Sequence, residues 1–174
     1  MKILHLAAAF LFVPALAAAA DAPPSDANIA AIVVAADQID VDAGNQALAK
    51  TSNAEVKKFA QTMVTDHTAV NQKATELAGK LKLTLVDNDL SKKLKSDAAA
   101  TAEQMQALSG PAFDKAYVDH EVAYHRAVID AVQKLLIPNA KNAELKKLLE
   151  QGAPIFVQHL HHAEMLQESL ASAK

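Results

Sequence analysis

From residue 56 to residue 81 an apolar side chain returns every three or four positions, through Val56, Phe59, Ala60, Met63, Val70, Ala74, Leu77 and Leu81. The place that this rhythm assigns to residue 67 is taken by a histidine. A period near 3.6 belongs to an α-helix with one buried face, so the stretch must lay its stripe against other helices. His67 goes inward with the stripe. An imidazole there is either a satisfied core group or part of a polar layer built on purpose.

The same period recurs along the chain. A helix is expected from Ser25 or Asp26, either a good N-cap, to about Lys50, with Ile29, Ile32, Val33, Ala36, Asp40, Ala43 and Ala47 inward. Thr51, Ser52 and Asn53 break it, and Asn53 caps the second helix. A third helix is expected over about 89–108, with Leu90, Leu94, Ala98, Thr101, Met105 and Leu108 inward. Gly110 and Pro111 then read as a stop followed by a start. The fourth helix should end before Pro138. The last segment, 142–172, reads as a short helix, a break at 151–154, and a helix starting at Pro154. No useful run alternates as a strand would. The expected class is all-α: a ferritin-like four-helix bundle of the first, second, fourth and fifth helices, the third acting as a crossover, with a plain five-helix bundle as the other option.

Residues 1–20 combine a lysine, an apolar run and an alanine-rich end with Ala18 and Ala20 at peptidase positions, the pattern of a cleaved signal peptide. The rival is an N-terminal membrane anchor. Residues 21–26 form a flexible leader and 27–172 the helical domain. Cleavage takes one lysine from the 17 basic groups and nothing from the 20 acidic ones, so the net charge moves from −3 to −4. No basic stripe exists to attract nucleic acid. Without cysteine there are no disulfides and no lipid-modified cysteine. No long cationic amphipathic helix points to membrane association after cleavage. The expected location is the periplasm or the exterior; the oligomeric state is left open.

Five ionisable residues fall on inward stripes: Asp40, His67, Glu121, His125 and His159. Glu121 and His125 are one turn apart and share a face; His162, three after His159, could act with it. Counted from the turns, Asp40, His67 and His125 lie at nearly one depth, within about 3 Å for the first two. Buried charges are expensive without partners, and bundles build metal sites from such converging groups. The bland alternative is an Asp40 ion pair with His67 or His125. Asp66 points a quarter-turn away. His120, His161 and Glu164 read as surface residues, and Tyr117 and Tyr124 as core aromatics with hydrogen-bonded hydroxyls. No Glu-x-x-His pair of the di-iron type is present. The set is rich in histidine and poor in carboxylate, which suits copper, zinc or iron as a single ion. Nucleotide loops and nucleophile motifs are absent.

The blocks NAEVKKFAQTMVTDHTAVNQKATELA, GPAFDKAYVDHEVAYHRAVI and APIFVQHLHHAEML resemble those of the bacterial family called domain of unknown function 4142, over about residues 27–172. The resemblance implies an exported, ferritin-like bundle, often described as a membrane or outer-membrane protein, with no established activity. Its motif residues correspond to Asp66, His67 and Asn71, to Phe113, Asp114, Tyr117 and His125, and to Pro154 and His159. The acidic position of its first helix, usually glutamate, corresponds to Asp40. The expected function is metal binding or stress-linked metal handling in the bacterial envelope. A metal-dependent oxidoreductase and a non-catalytic structural or interaction protein remain the alternatives.

Overall fold

The structure, a computed structural model, describes residues 23–172. The expected signal peptide, residues 1–20, and the first two residues of the leader lie outside them. The described chain folds into α1 (Asp26–Lys50), α2 (Ala54–Lys80), α3 (Asp89–Gln106), α4 (Gly110–Ala131) and α5 (Ala143–Ser172). α4 runs on through a π-helical turn, Val132–Leu136, into a last helical stretch, Ile137–Asn139.

The starts are fixed by side chains that serve otherwise unpaired N–H groups. Ser25 and Asn28 exchange hydrogen bonds as a capping box on α1. Asn53 accepts from the Glu55 and Val56 amides, and Asn142 from those of Glu144 and Leu145. α2 closes with Lys82 left-handed at φ 54°. Leu83 N–H then reaches the Ala78 carbonyl and Lys82 N–H that of Gly79, a Schellman closure. Gly110, at φ 56°, opens α4, with Pro111 in its first turn.

α1 packs along α2, and α4 along α5, the two hairpins expected from the short connections; α1 also meets α4 and α2 meets α5. α3 lies against α1, burying only Ser91, Leu94 and Met105. Lys50 Nζ donates to the Met105 carbonyl there, and Gln46 to that of Ala102. With α2, α3 and α4 on different sides, α1 has little wet face: Ile29–Val33 is buried without interruption.

Two sequence expectations are corrected, both at prolines. α4 does not stop before Pro138. A proline ring clashes with the carbonyl four residues back, here that of Lys134. The π turn opens the helix at that place, Ile137 N–H reaching back five residues to Val132, and the chain stays helical to Asn139. Nor does the last helix break at 151–154. α5 is continuous with Pro154 inside it. Pro154 is exposed, and so is Glu150, whose carbonyl loses its partner, so water can take the bond's place.

The apolar interior comes in two blocks. One gathers Ile29, Ile32, Val132, Leu149 and Phe156; the other gathers Phe59, Met63, Phe113, Tyr117 and Leu166. The start of α1 and the end of α4 belong to the first block, the end of α1 and the start of α4 to the second. Between them, halfway along all four long helices, the interior turns polar. Near this level α1 and α2 approach closely at Gly44, where a Cβ would stand 2.7 Å from Val64 Cγ2 and 3.2 Å from the Ala60 carbonyl oxygen. Gly44→Ala gains helix propensity but must push α2 away. A net loss of ~1–2 kcal/mol is expected. It would be read as a lower urea midpoint at unchanged slope.

Candidate metal centre

Helical spacing brings six ionisable side chains into this layer. α1 supplies Asp37 and Asp40, three residues apart. α2 supplies His67, α4 supplies Glu121 and His125 four apart, and α5 supplies His159. None is more than 4 % exposed, so bulk water solvates none of them. The three imidazoles face one another, with ring centroids 5.1 Å apart for His67 and His159, 5.5 Å for His125 and His159, and 5.6 Å for His67 and His125. Phe156 stacks parallel to the His67 ring at 5.5 Å and closes one side.

Each histidine has one nitrogen engaged by an oxygen. His67 Nδ1 donates to Asp37 Oδ1 at 2.9 Å, His125 Nδ1 to the Glu121 carbonyl at 3.0 Å, and His159 Nε2 to Asp66 Oδ2 at 2.9 Å. A carbonyl can only accept, so Nδ1 carries the His125 proton and, in the neutral ring, Nε2 is bare. The remaining nitrogens turn inward. His67 Nε2 lies 3.2 Å from His159 Nδ1 and 3.5 Å from Asp40 Oδ2. One donor atom from each of His67, His125 and His159 lies within 4.8 Å of the others, and the same holds for Asp40, Glu121 and His125. His125 Nε2, both Glu121 carboxylate oxygens, Asp40 Oδ1 and Asp37 Oδ2 are buried without a hydrogen-bond partner, although Glu121 Oε2 stands 3.4 Å from His125 Nδ1. Every such atom costs ~1–3 kcal/mol if left unsatisfied.

The groups hold their charges unequally. Burial pushes Asp40 well above the usual carboxylate range, His67 pulls it back, and Glu121 and Asp37 push it further up. Asp37 is raised by burial against the pull of its His67 hydrogen bond. For Glu121 burial works upward, but His125, His120 and His67 together outweigh it and the net shift is down. Burial works against the His67 imidazolium, yet Asp40 and Asp37 together more than offset it, leaving His67 raised. His159 is held down to about 4 by burial, with His67 and His125 adding to the effect against the Asp66 hydrogen bond.

All five residues expected from the sequence, Asp40, His67, Glu121, His125 and His159, meet here. Asp37, absent from the expected set, joins them; its position three before Asp40 was the available signal. Asp66, half-exposed, orients His159. His162 does not join; its ring stands edge-on to Phe59 at 5.1 Å. His120 departs from its surface assignment, half-buried against the Tyr124 ring, and burial lowers its pKa. Glu164 pairs with Arg126, and His161 is exposed. Tyr124 donates to the Ala36 carbonyl at 3.1 Å, whereas the buried Tyr117 hydroxyl has no protein partner. Asn71 reaches the Val34 carbonyl and Gln38, outside the layer.

Comparison with known proteins adds three findings. The family model described as domain of unknown function (DUF4142) matches residues 12–166. No curated protein matches the sequence. The fold is similar to the crystal structure of a DUF305 protein from Streptomyces coelicolor, described as secreted, with a TM-score of 0.70 at 14 % identity, covering 84 % of this chain and 93 % of that one. At that identity the likeness is one of fold.

Proposed function

The chain belongs to the DUF4142 family, and we propose that it binds one transition-metal ion between His67, His125 and His159, with Asp40 and Glu121 at hand as carboxylate ligands. The observation that carries this is the set of inward nitrogens, each backed by an oxygen on the far side of its ring. Metal-ligating histidines are held in this way, because the outer acceptor fixes tautomer and orientation and raises ligand basicity. Two nitrogens bound tetrahedrally at about 2.0–2.1 Å stand ~3.3 Å apart; His67 Nε2 and His159 Nδ1 are 3.2 Å apart. An ion would also engage His125 Nε2 and the orphaned oxygens of Asp40 and Glu121. Imidazole with carboxylate suits zinc, copper or iron, whereas magnesium and calcium take oxygen ligands.

We read the protein as exported. Residues 1–20 have the pattern of a cleaved leader, no helix among the described residues is long and apolar enough to cross a membrane, and the similar Streptomyces coelicolor protein is described as secreted. Metal handling in the bacterial envelope is the function this combination supports best.

The test is metal content by mass spectrometry of protein purified without chelator or affinity tag, beside His67→Ala and His125→Ala. About one ion per chain, lost in both variants, is the expected result, since ligand loss should exceed the ~10–100-fold cost of losing an outer partner. A wild type that carries no metal and refuses added zinc, copper and iron would leave the layer a structural one.

A further inference from the structure

Against the polar layer lies a cavity of about 40 Å³, walled by side chains from all five helices, among them Ile32, Val70, Leu94, Val128 and Leu149. The only polar groups that reach it are Asp37, Asp40 and His67, all at the layer. Two irregularities border it. The π turn contributes Val132 and Leu136 where α4 is widened. Gly152 leaves the α5 wall bare: a Cβ there would meet nothing within 4 Å except the Phe156 ring, at 3.7 Å, although Gly152 is itself buried. Apart from Asp37, Asp40 and His67 the lining of the cavity is aliphatic or aromatic.

Its chemistry limits what can occupy it. A buried water needs two to four polar partners, and away from the layer the walls offer none. Apolar cavities stay dry and take apolar guests; one of roughly 150 Å³ holds benzene or xenon, so a space this small excludes a ring and admits only a few atoms. We propose that the cavity is a binding pocket for a small, neutral, apolar molecule of a few atoms, held among the aliphatic walls formed by Ile32, Val132 and Leu149. Binding in the cavity needs only its walls. Contact between the guest and a metal rests on the metal reading above, and the two can fail separately.

The experiment uses the metal-free protein with labelled methyl groups, under xenon pressure and then under dissolved dioxygen, whose paramagnetism speeds relaxation of nearby nuclei. Xenon is expected to shift the methyl resonances of Ile32, Val132 and Leu149, and dioxygen to relax the same methyls most. Gly152→Leu should abolish both effects, and Gly152→Ala, the milder substitution, should reduce them. Metal content of the variants is measured alongside. Guest binding that disappears in Gly152→Leu while metal content stays unchanged would bear out a pocket separate from the ligands, and guest binding by a wild type that takes up no metal would bear out the pocket and sink the metal reading alone. Wild-type methyls that ignore both gases would overturn the pocket, as would exchange of magnetisation between water and those methyls, or gas effects that survive in a folded Gly152→Leu.

Discussion

Saturating zinc, copper or iron is expected to raise the midpoint of thermal unfolding by about 8–16 °C. An ion that binds the folded chain alone stabilises it by ~4 kcal/mol at a thousand times its dissociation constant, and ~1 kcal/mol moves the midpoint of a domain of this size by about 2–4 °C. The gain is specific to folding because the ligands come from four helices that only the bundle brings together. Asp37→Asn gives the sharper version of the test. The amide oxygen can still accept from His67 Nδ1, so the ring keeps its orientation, but the charge behind it is gone. Affinity should fall ~10–100-fold, which removes ~1.4–2.7 kcal/mol of the stabilisation. Melts followed by helical circular dichroism, with and without each ion, read both effects. Equal midpoints with and without every ion would show that no folding-linked site exists.

The sequence disclosed the layer because helical periodicity puts ligand-bearing positions in register with apolar ones. His67 stands where a leucine would, and Glu121 with His125 shares a face with Tyr117 and Val118. Depth counted from the turns brought Asp40 to His67, and in the structure they lie 3.5 Å apart. Asp37 escaped notice because α1 is covered on several sides, so its buried residues form no narrow stripe against which an inward aspartate stands out. The prolines misled for a related reason. Local chemistry predicts a stop at Pro138 and a break before Pro154, but tertiary packing holds the helices together. A π turn relieves the clash at one, and the stranded carbonyl at the other belongs to exposed Glu150. The cavity could not be foreseen at all, since its lining draws together residues of all five helices, the π turn and Gly152 among them.

Without metal, the pH dependence of folding should separate His159 from the rest of the layer. Its folded value of about 4 lies below its ordinary 6.5. The unfolded chain therefore takes up this proton first, and the stabilisation is complete above pH 6.5 and lost as pH falls to about 4. The fall is worth on the order of 3 kcal/mol. Asp37, Asp40 and His67 are raised instead. The contributions of the two aspartates are present below their ordinary 3.8 and lost as pH rises through their folded values; that of His67 is present below 6.5 and lost as pH rises past it. Between pH 4 and pH 6.5 only the two aspartates can oppose His159, since the His67 contribution changes above that range. His159→Asn keeps a donor for Asp66 but does not titrate there. Urea unfolding of wild type and variant across this range should give a stability difference that grows with pH by on the order of 3 kcal/mol. Asp40→Asn should do the opposite, easing the loss on the alkaline side. Parallel curves for wild type and His159→Asn would mean that folded His159 is as easily protonated as the free imidazole, and that burial in the layer does not hold it down.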